Sequence, residues 1–341
     1  MSETSVIIEW ITDTPCQPKV EYGENSLEHE VVPQKQGLIP VGTLQRVEVT
    51  GLLPGHTYQY RISSTRVVRL KPYLPEKGQS LESPTYTFTT FDHSKPTIAF
   101  SFITDTHEDV ARIHTLMRMI DWQKTDFLVS GGDGINYAES QDQVFDNWIE
   151  PISEELNHSK PLIYARGNHE MRGPFARNLD DYFLSQSKHY YFTRDAGPAH
   201  LIVVDTGEDK PDNNQEYAGL LADTSYREEE YQWFKNLSST DSGLQQSPFR
   251  IVLMHQPKWG WVDGENRKWT EVANKEKVDL VIAGHYHQFL HLNPGEEGNN
   301  FPILIVGQDQ VAHVDASTKE LKVTVTEKTG SIVDSFTLQR H

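Results

Sequence analysis

Cysteine is almost absent from this chain. One residue, Cys16, in 341 excludes an internal disulfide and any thiolate metal site, and a small buried side chain is its expected role. No apolar run approaches the ~20 residues that a membrane-spanning helix requires. Positive charge is scarce as well: 31 Lys and Arg face 49 Asp and Glu, a formal charge of −18. Such a field opposes non-specific binding to nucleic acid or to an anionic membrane. It also repels phosphate, so an anionic substrate has to be drawn in by a local cation. Internal repeats and low-complexity tracts are missing. The opening Met1-Ser2-Glu3-Thr4 has neither the basic start nor the apolar core of a signal peptide. Two settings fit that start: the cytosol, or export directed by a segment upstream of this sequence.

The length suffices for two domains. Residues 1–92 lack a helical pattern. Short β-rich segments at 6–10, 19–22, 45–49, 58–62 and 86–90 alternate with turn signals such as Gly23, Gly51 and Pro54-Gly55. This pattern predicts a small β-sandwich. Leu52-Leu53-Pro54-Gly55-His56-Thr57-Tyr58-Gln59-Tyr60-Arg61 resembles the strand-turn-strand signature of fibronectin type III-like domains. Residues 67–84 carry three prolines and read as an extended loop, and 92–96 as a linker. From residue 97 to 341 the pattern changes to α/β. Apolar strands are expected at 98–104, 127–129, 162–165, 201–205, 251–255, 280–283 and 303–306. Helices are expected around Val110, Ile113, Leu116, Met117 and Ile120, at 144–156 with a break at Pro151, and at 225–237. Alternation of strand and helix predicts a largely parallel sheet, and 321–338 a terminal hairpin.

The ends of these strands carry the chemistry. Asp105-Thr106-His107, Asp133, Asn168-His169, His255, and His285 with His287 bring two Asp, one Asn and five His to one edge of one sheet, if the strands run as read. Ligand sites in open α/β sheets lie beyond the carboxyl ends of strands. Imidazole with carboxylate or amide oxygen suits divalent Zn, Fe or Mn. Seven side chains and a spare His exceed one tetrahedral ion and suit two metals sharing a carboxylate. Such a pair, about 3.5–4 Å apart, clamps a phosphoryl group and acidifies a bound water.

Asp-x-His, Gly-Asp, Gly-Asn-His-Glu, His and Gly-His-x-His, in that order over about residues 97–315, resemble the calcineurin-like metallophosphoesterase superfamily. The resemblance implies a β-sandwich flanked by helices, in α/β/β/α order. It implies two divalent metal ions (Mn, Zn or Fe), one held by Asp105, His107 and His287 and one by Asn168, His255 and His285, with Asp133 bridging. His169 then stabilises the transition state or protonates the leaving oxygen. The activity implied is hydrolysis of phosphate monoesters on a small phosphorylated substrate, by attack of a metal-bound hydroxide. Phosphodiester or nucleotide hydrolysis on the same site is the alternative. A fibronectin-like domain placed first is similar to the purple acid phosphatases, and that likeness favours a secreted or periplasmic protein. Two departures matter: His107 stands where those enzymes have Gly, and Tyr137 falls one residue beyond their ligating Tyr. A homovalent metal pair without tyrosinate colour is therefore expected.

Weaker signals surround the site. Arg172 is a candidate for reading a substrate phosphate, or for pairing with Glu170 or Asp180. Trp259 and Trp261 are candidates for an aromatic wall, with Trp269 assigned to packing. Residues 205–210 follow a strand and are expected to line the cleft. His200, His291 and His313 read as structural. The rival from another class is a surface-binding module on an inert metal-domain scaffold, against which an intact donor set argues.

Overall fold

The computed structural model describes residues 1–183, 188–260 and 266–340. Two compact units emerge: Met1–Asp92 with His158–Lys160, and His93–Asn157 with Pro161–His341.

The first unit is all β: β1 (Ser5–Gly23), β2 (His29–Val31), β3 (Gly42–Thr50), β4 (Thr57–Arg69), β5 (Glu76–Glu82) and β6 (Tyr86–Thr89). The segments at 6–10 and 19–22 belong to one 19-residue strand. That strand pairs with β3 up to Cys16 and with β4 from Cys16 onward, with a register shift between Ile11 and Cys16. Changing partner lets one strand serve both sides of a core built on Val20, Val47, Val49, Tyr58, Tyr60 and Phe88. The expected loop at 67–84 is corrected: β4 continues to Arg69, and β5 pairs back onto it. Prolines confined to the tip and to the strand exit, Pro72, Pro75 and Pro84, do not interrupt the ladder.

The second unit holds two six-stranded sheets. One runs in the order β18-β17-β16-β7-β8-β9 and the other β10-β11-β12-β13-β15-β14. Parallel strands form one half of the first, β7 (Thr97–Ile103), β8 (Phe127–Ser130) and the edge strand β9 (Leu162–Tyr164), and the centre of the second, β11 (Ala199–Val203), β12 (Phe249–Leu253), β13 (Leu280–Ala283) and β15 (Ile303–Ile305). These strands are almost wholly buried, which explains their continuous apolar runs. Antiparallel partners finish the edges: β10 (Phe192–Ala196) and β14 (Leu290–Leu292) on one sheet, β16 (Gln310–Ser317), β17 (Glu320–Glu327) and β18 (Ile332–Gln339) on the other. β10, β14 and β16 were not expected from sequence, because they are short or only partly apolar.

Helices cover the outer faces in an α/β/β/α arrangement. Val110–Arg118 packs Ile113, Leu116 and Met117 with Ile103 and Leu128. Asp109 caps that helix by accepting from Arg112 N at 2.9 Å. Asp223–Thr240 and Asn266–Lys275 bring Phe234 and Trp269 onto Ile202, Val252 and Val281. Pro151 does not break its helix. A π segment, Phe145–Ile149, precedes it and places the proline in the first turn of Glu150–Glu155, where a missing N–H costs little. The larger correction concerns the single sheet: the polar strand ends come from two sheets, not from one edge of one.

Candidate metal centre

Each expected ligand leaves its strand through an abrupt loop. Asp105, His107, Asp133, His285 and His287 all have positive φ, between 47° and 72°. Non-glycine residues avoid this left-handed region, and strain of this kind collects at functional sites. The loops brace one another. Asp105 N donates to Gly132 O at 3.0 Å, His107 N to Asp133 O at 3.0 Å and Glu108 N to Gly134 O at 2.8 Å. Across the sheets, His285 N donates to Asp105 Oδ2 at 2.9 Å, and within the second sheet Gly284 N donates to His255 O at 2.8 Å. Two glycines permit the close approach: a Cβ on Gly167 would lie 2.2 Å from Asp133 Oδ1, and one on Gly284 would lie 2.6 Å from Asp105 Oδ2.

Two donor groups result. Asp105, His107, Asp133 and His287 form one, and Asp133, His255 and His285 the other, with the ligand atoms of each within 4.8 Å of one another. Asp133 belongs to both. Asn168 is fully buried nearby; its Nδ2 donates to Asp209 Oδ2 at 3.4 Å, which leaves Oδ1 without a partner. Asp105 Oδ1, His107 Nδ1 and His255 Nε2 also lack hydrogen-bond partners. His255 Nε2 lies 3.0 Å from Asp133 Oδ2 but out of line for a hydrogen bond. Unsatisfied buried polar atoms are costly and rare, and oxygen and imidazole donors left this way fit divalent cations.

Electrostatics point the same way. Burial disfavours the His255 imidazolium, yet the charge of Asp133 outweighs it and pushes the imidazole up to about 10. Burial also opposes ionisation of Asp133, but the His255 charge overrides it and holds that carboxyl far below its ordinary range. Asp133 and His255 therefore stabilise each other's charge. Burial first, and then the His255 charge, push His285 down to about 4, leaving the neutral imidazole that a metal requires. His255 Nδ1 donates to Gly131 O at 2.7 Å, which fixes the tautomer and turns Nε2 toward Asp133.

A calcineurin-like phosphoesterase family model matches residues 98–289, spanning every one of these donors. The chain belongs to the calcineurin-like phosphoesterase family. Among curated proteins it is similar to probable purple acid phosphatase 20 of Arabidopsis thaliana, 22% identical over 314 residues, covering 83% of this chain and 65% of the relative. It is also similar to purple acid phosphatase 23 of the same plant, 23% identical over 172 residues, covering 44% of this chain and 33% of that protein. The chain thus spans less than two thirds of these relatives. Among solved structures, purple acid phosphatase PPD1 from yellow lupin seeds aligns over 100% of this chain and 73% of its own, with a TM-score of 0.72 and 15% identity. PhoD aligns over 99% and 88%, with a TM-score of 0.66 and 12% identity. At these identities the likeness establishes the fold.

Around the donors, this member of the family differs from sequence expectation at several positions. His169 N donates to Asp133 Oδ1 at 3.0 Å, and its Nδ1 donates to Asn136 O at 2.7 Å. Its Nε2, 3.8 Å from Asp133 Oδ2, accepts from Arg172 Nη1 at 3.0 Å. Arg172 pairs with neither Glu170 nor Asp180 in this arrangement. Its Nε and Nη2 donate to Glu208 at 3.1 and 2.7 Å, and Nη2 also to Asp209 at 2.9 Å. Tyr217 adds its hydroxyl to Glu208. Four of the five guanidinium N–H donors are thus committed to protein acceptors, so Arg172 is not the free bidentate phosphate reader expected from sequence.

Trp259 is corrected too. It is 1% exposed, stacks on Trp269 at 5.9 Å and donates to Thr270 Oγ1 at 3.0 Å, so it is core rather than wall. Trp261 lies outside the described residues. Tyr137 is 51% exposed, and it belongs to neither donor group. His200, His291 and His313 lie beside Asp195 (2.7 Å), Asp334 (2.7 Å) and Ser101 (3.0 Å).

Sequence reasoning missed the task of Glu170. Its buried carboxyl group accepts from Asp133 N at 3.1 Å and Gly134 N at 2.8 Å, holding the loop that carries Asp133. Only its place in Gly-Asn-His-Glu hinted at a role. Asn136 carried no sequence signal, since its carbonyl makes the contact.

Proposed function

We propose that this chain is a dinuclear metal-dependent phosphoesterase that hydrolyses phosphate monoesters. The observation that carries the reading is the membership of Asp133 in both donor groups, which makes its carboxylate the natural bridge. Asp105, His107 and His287 would complete one site, and Asn168, His255 and His285 the other. Two divalent cations there (Mn, Zn or Fe) would polarise the phosphoryl oxygens and supply a water acidified toward neutrality.

The chain's own groups would do the rest. Asp133 Oδ1 and Asn136 O anchor His169 by its backbone N–H and Nδ1, and Nε2, which accepts from Arg172 Nη1, would have to exchange that hydrogen bond for a proton before serving the leaving oxygen. Arg172, itself gripped by Glu208 and Asp209, holds that ring in place. The all-β first unit we take as a fibronectin type III-like accessory domain.

One observation favours a second reading, phosphodiester hydrolysis. With four of its five N–H donors given to His169, Glu208 and Asp209, Arg172 has one Nη1 N–H left, and no bidentate fork, to meet the extra charge of a monoester dianion. The deciding experiment is paired turnover of an aryl phosphate monoester and the matching diester, on protein stripped of metal and reloaded with Mn, Zn or Fe. Monoester preference supports the first reading and diester preference the second. Silence on both, without metal binding, returns the binding-module rival.

A further inference from the structure

The first unit carries a feature unrelated to phosphate chemistry. Residues 70–75 form the tip of the β4–β5 hairpin, and there Leu70 is 66% exposed, Tyr73 86% and Leu74 87%. On the flanking strands, Val68 is 54% and Leu81 65% exposed. Single exposed apolar residues are ordinary; a group on one hairpin is not. Leu74 also has φ +53°, a conformation that leucine disfavours and glycine or asparagine would hold more cheaply. Nothing in the packing rewards it, which points to a role outside the fold.

We propose that this tip docks the protein on an anionic lipid surface. Leu70 and Leu74 would enter the interface and Tyr73 would lie at the headgroup level, where amphipathic rings concentrate. Pro72 and Pro75 lack N–H groups, so the tip has fewer donors to strip of water on insertion, and fewer to offer a partner strand.

Charge selects the occupant. Residues 66–82 hold Arg66, Arg69, Lys71 and Lys77 against Glu76 and Glu82, in a chain of net charge −18. Glu76 pairs with Arg69 at 3.7 Å and with Lys71, and Glu82 pairs with Arg61 at 2.9 Å. Arg66 makes no ion pair among the described residues. Lys77 donates to the neutral Gln17 at 2.6 Å. Repulsion from the acidic remainder is screened beyond about 8 Å at physiological salt. Two hairpins meeting tip to tip would bring like charges together, whereas an anionic membrane complements them.

The test is co-sedimentation of the full chain with vesicles of phosphatidylcholine alone and with about a quarter phosphatidylserine. Binding is expected only to the anionic vesicles, weakening as salt rises. Tyr73→Ser combined with Leu74→Ser should cut partitioning about 10- to 100-fold, and Arg66→Glu about fivefold or more. Thermal unfolding should not change, because these side chains are exposed. Failure to bind anionic vesicles, or binding that the double variant leaves intact, overturns the proposal. So does self-association that the double variant abolishes, which would assign the tip to a second copy of the chain.

Discussion

Asp133 is held through its backbone and through both carboxylate oxygens. Glu170 accepts from its backbone N–H, its Oδ1 accepts from His169 N, and its Oδ2 faces His255 at 3.0 Å. Asp133→Asn keeps the shape and removes the shared charge. We expect a loss of at least about a hundredfold in kcat, with less than two metals retained by elemental analysis and a thermal transition close to the parent's. Unchanged turnover would sink the dinuclear reading. Glu170→Gln separates positioning from ligation. A glutamine amide offers one acceptor and one donor, so either Asp133 N or Gly134 N must face an N–H. Metal affinity should fall about 10- to 100-fold, read by competition with a chromogenic chelator, while all seven expected ligands remain.

Elements matter here through their ends. The strands supply rigidity, and the loops after them hold ligands in left-handed backbone that only cross-bracing makes tolerable. Gly167→Ala tests that bracing: its Cβ would meet Asp133 Oδ1 at 2.2 Å and Asp133 N at 2.3 Å. Overpacking of this kind should cost about 1–3 kcal/mol in denaturant unfolding, together with lost metal binding. A helix start gives a pH prediction at a group outside both donor sets. Asp223 opens Asp223–Thr240; burial and then the charge of Asp205 push its carboxyl up to about 7. A raised carboxyl holds its proton in the folded state more tightly than in the unfolded one. Its contribution is therefore present at low pH and is lost as pH rises through about 7. Asp223→Asn should flatten this fall, making the variant relatively more stable at about pH 8 than at about pH 5. Equal slopes in paired melts across that range would refute the assignment.

At the scale of the whole molecule, cations that bind the folded centre and not the unfolded chain must stabilise the fold by mass action. Free metal at about 100 times its Kd adds about 2.7 kcal/mol per site. Calorimetric Tm should therefore fall on chelation and climb with added Mn, Zn or Fe. A Tm indifferent to metal would mean that the donors hold none. No helix among the described residues is long and apolar enough to cross a membrane; the lipid contact proposed for the β4–β5 tip is a peripheral one.

Much of this protein was legible in its sequence because it depends on local pattern. Apolar runs ending in Asp, Gly-Asp, Gly-Asn-His-Glu, His and Gly-His-x-His announced buried strands with donors at their ends, and the turn-rich first ninety residues announced β structure. Only the tertiary structure decided the rest. Periodicity reports that a strand is buried, but not which sheet it joins, so the division of the donors between two sheets was invisible. Nor does a string of side chains reveal left-handed backbone at His285, or the three acceptors that engage Arg172 from residues 169, 208 and 209. Trp259 read as a wall because it follows a site histidine; packing against Phe234 and Trp269 made it core. Sequence determines which groups can act, through residue identity and short-range pattern. Long-range closure determines which of them meet, because contacts between distant segments exist only once both sheets are packed.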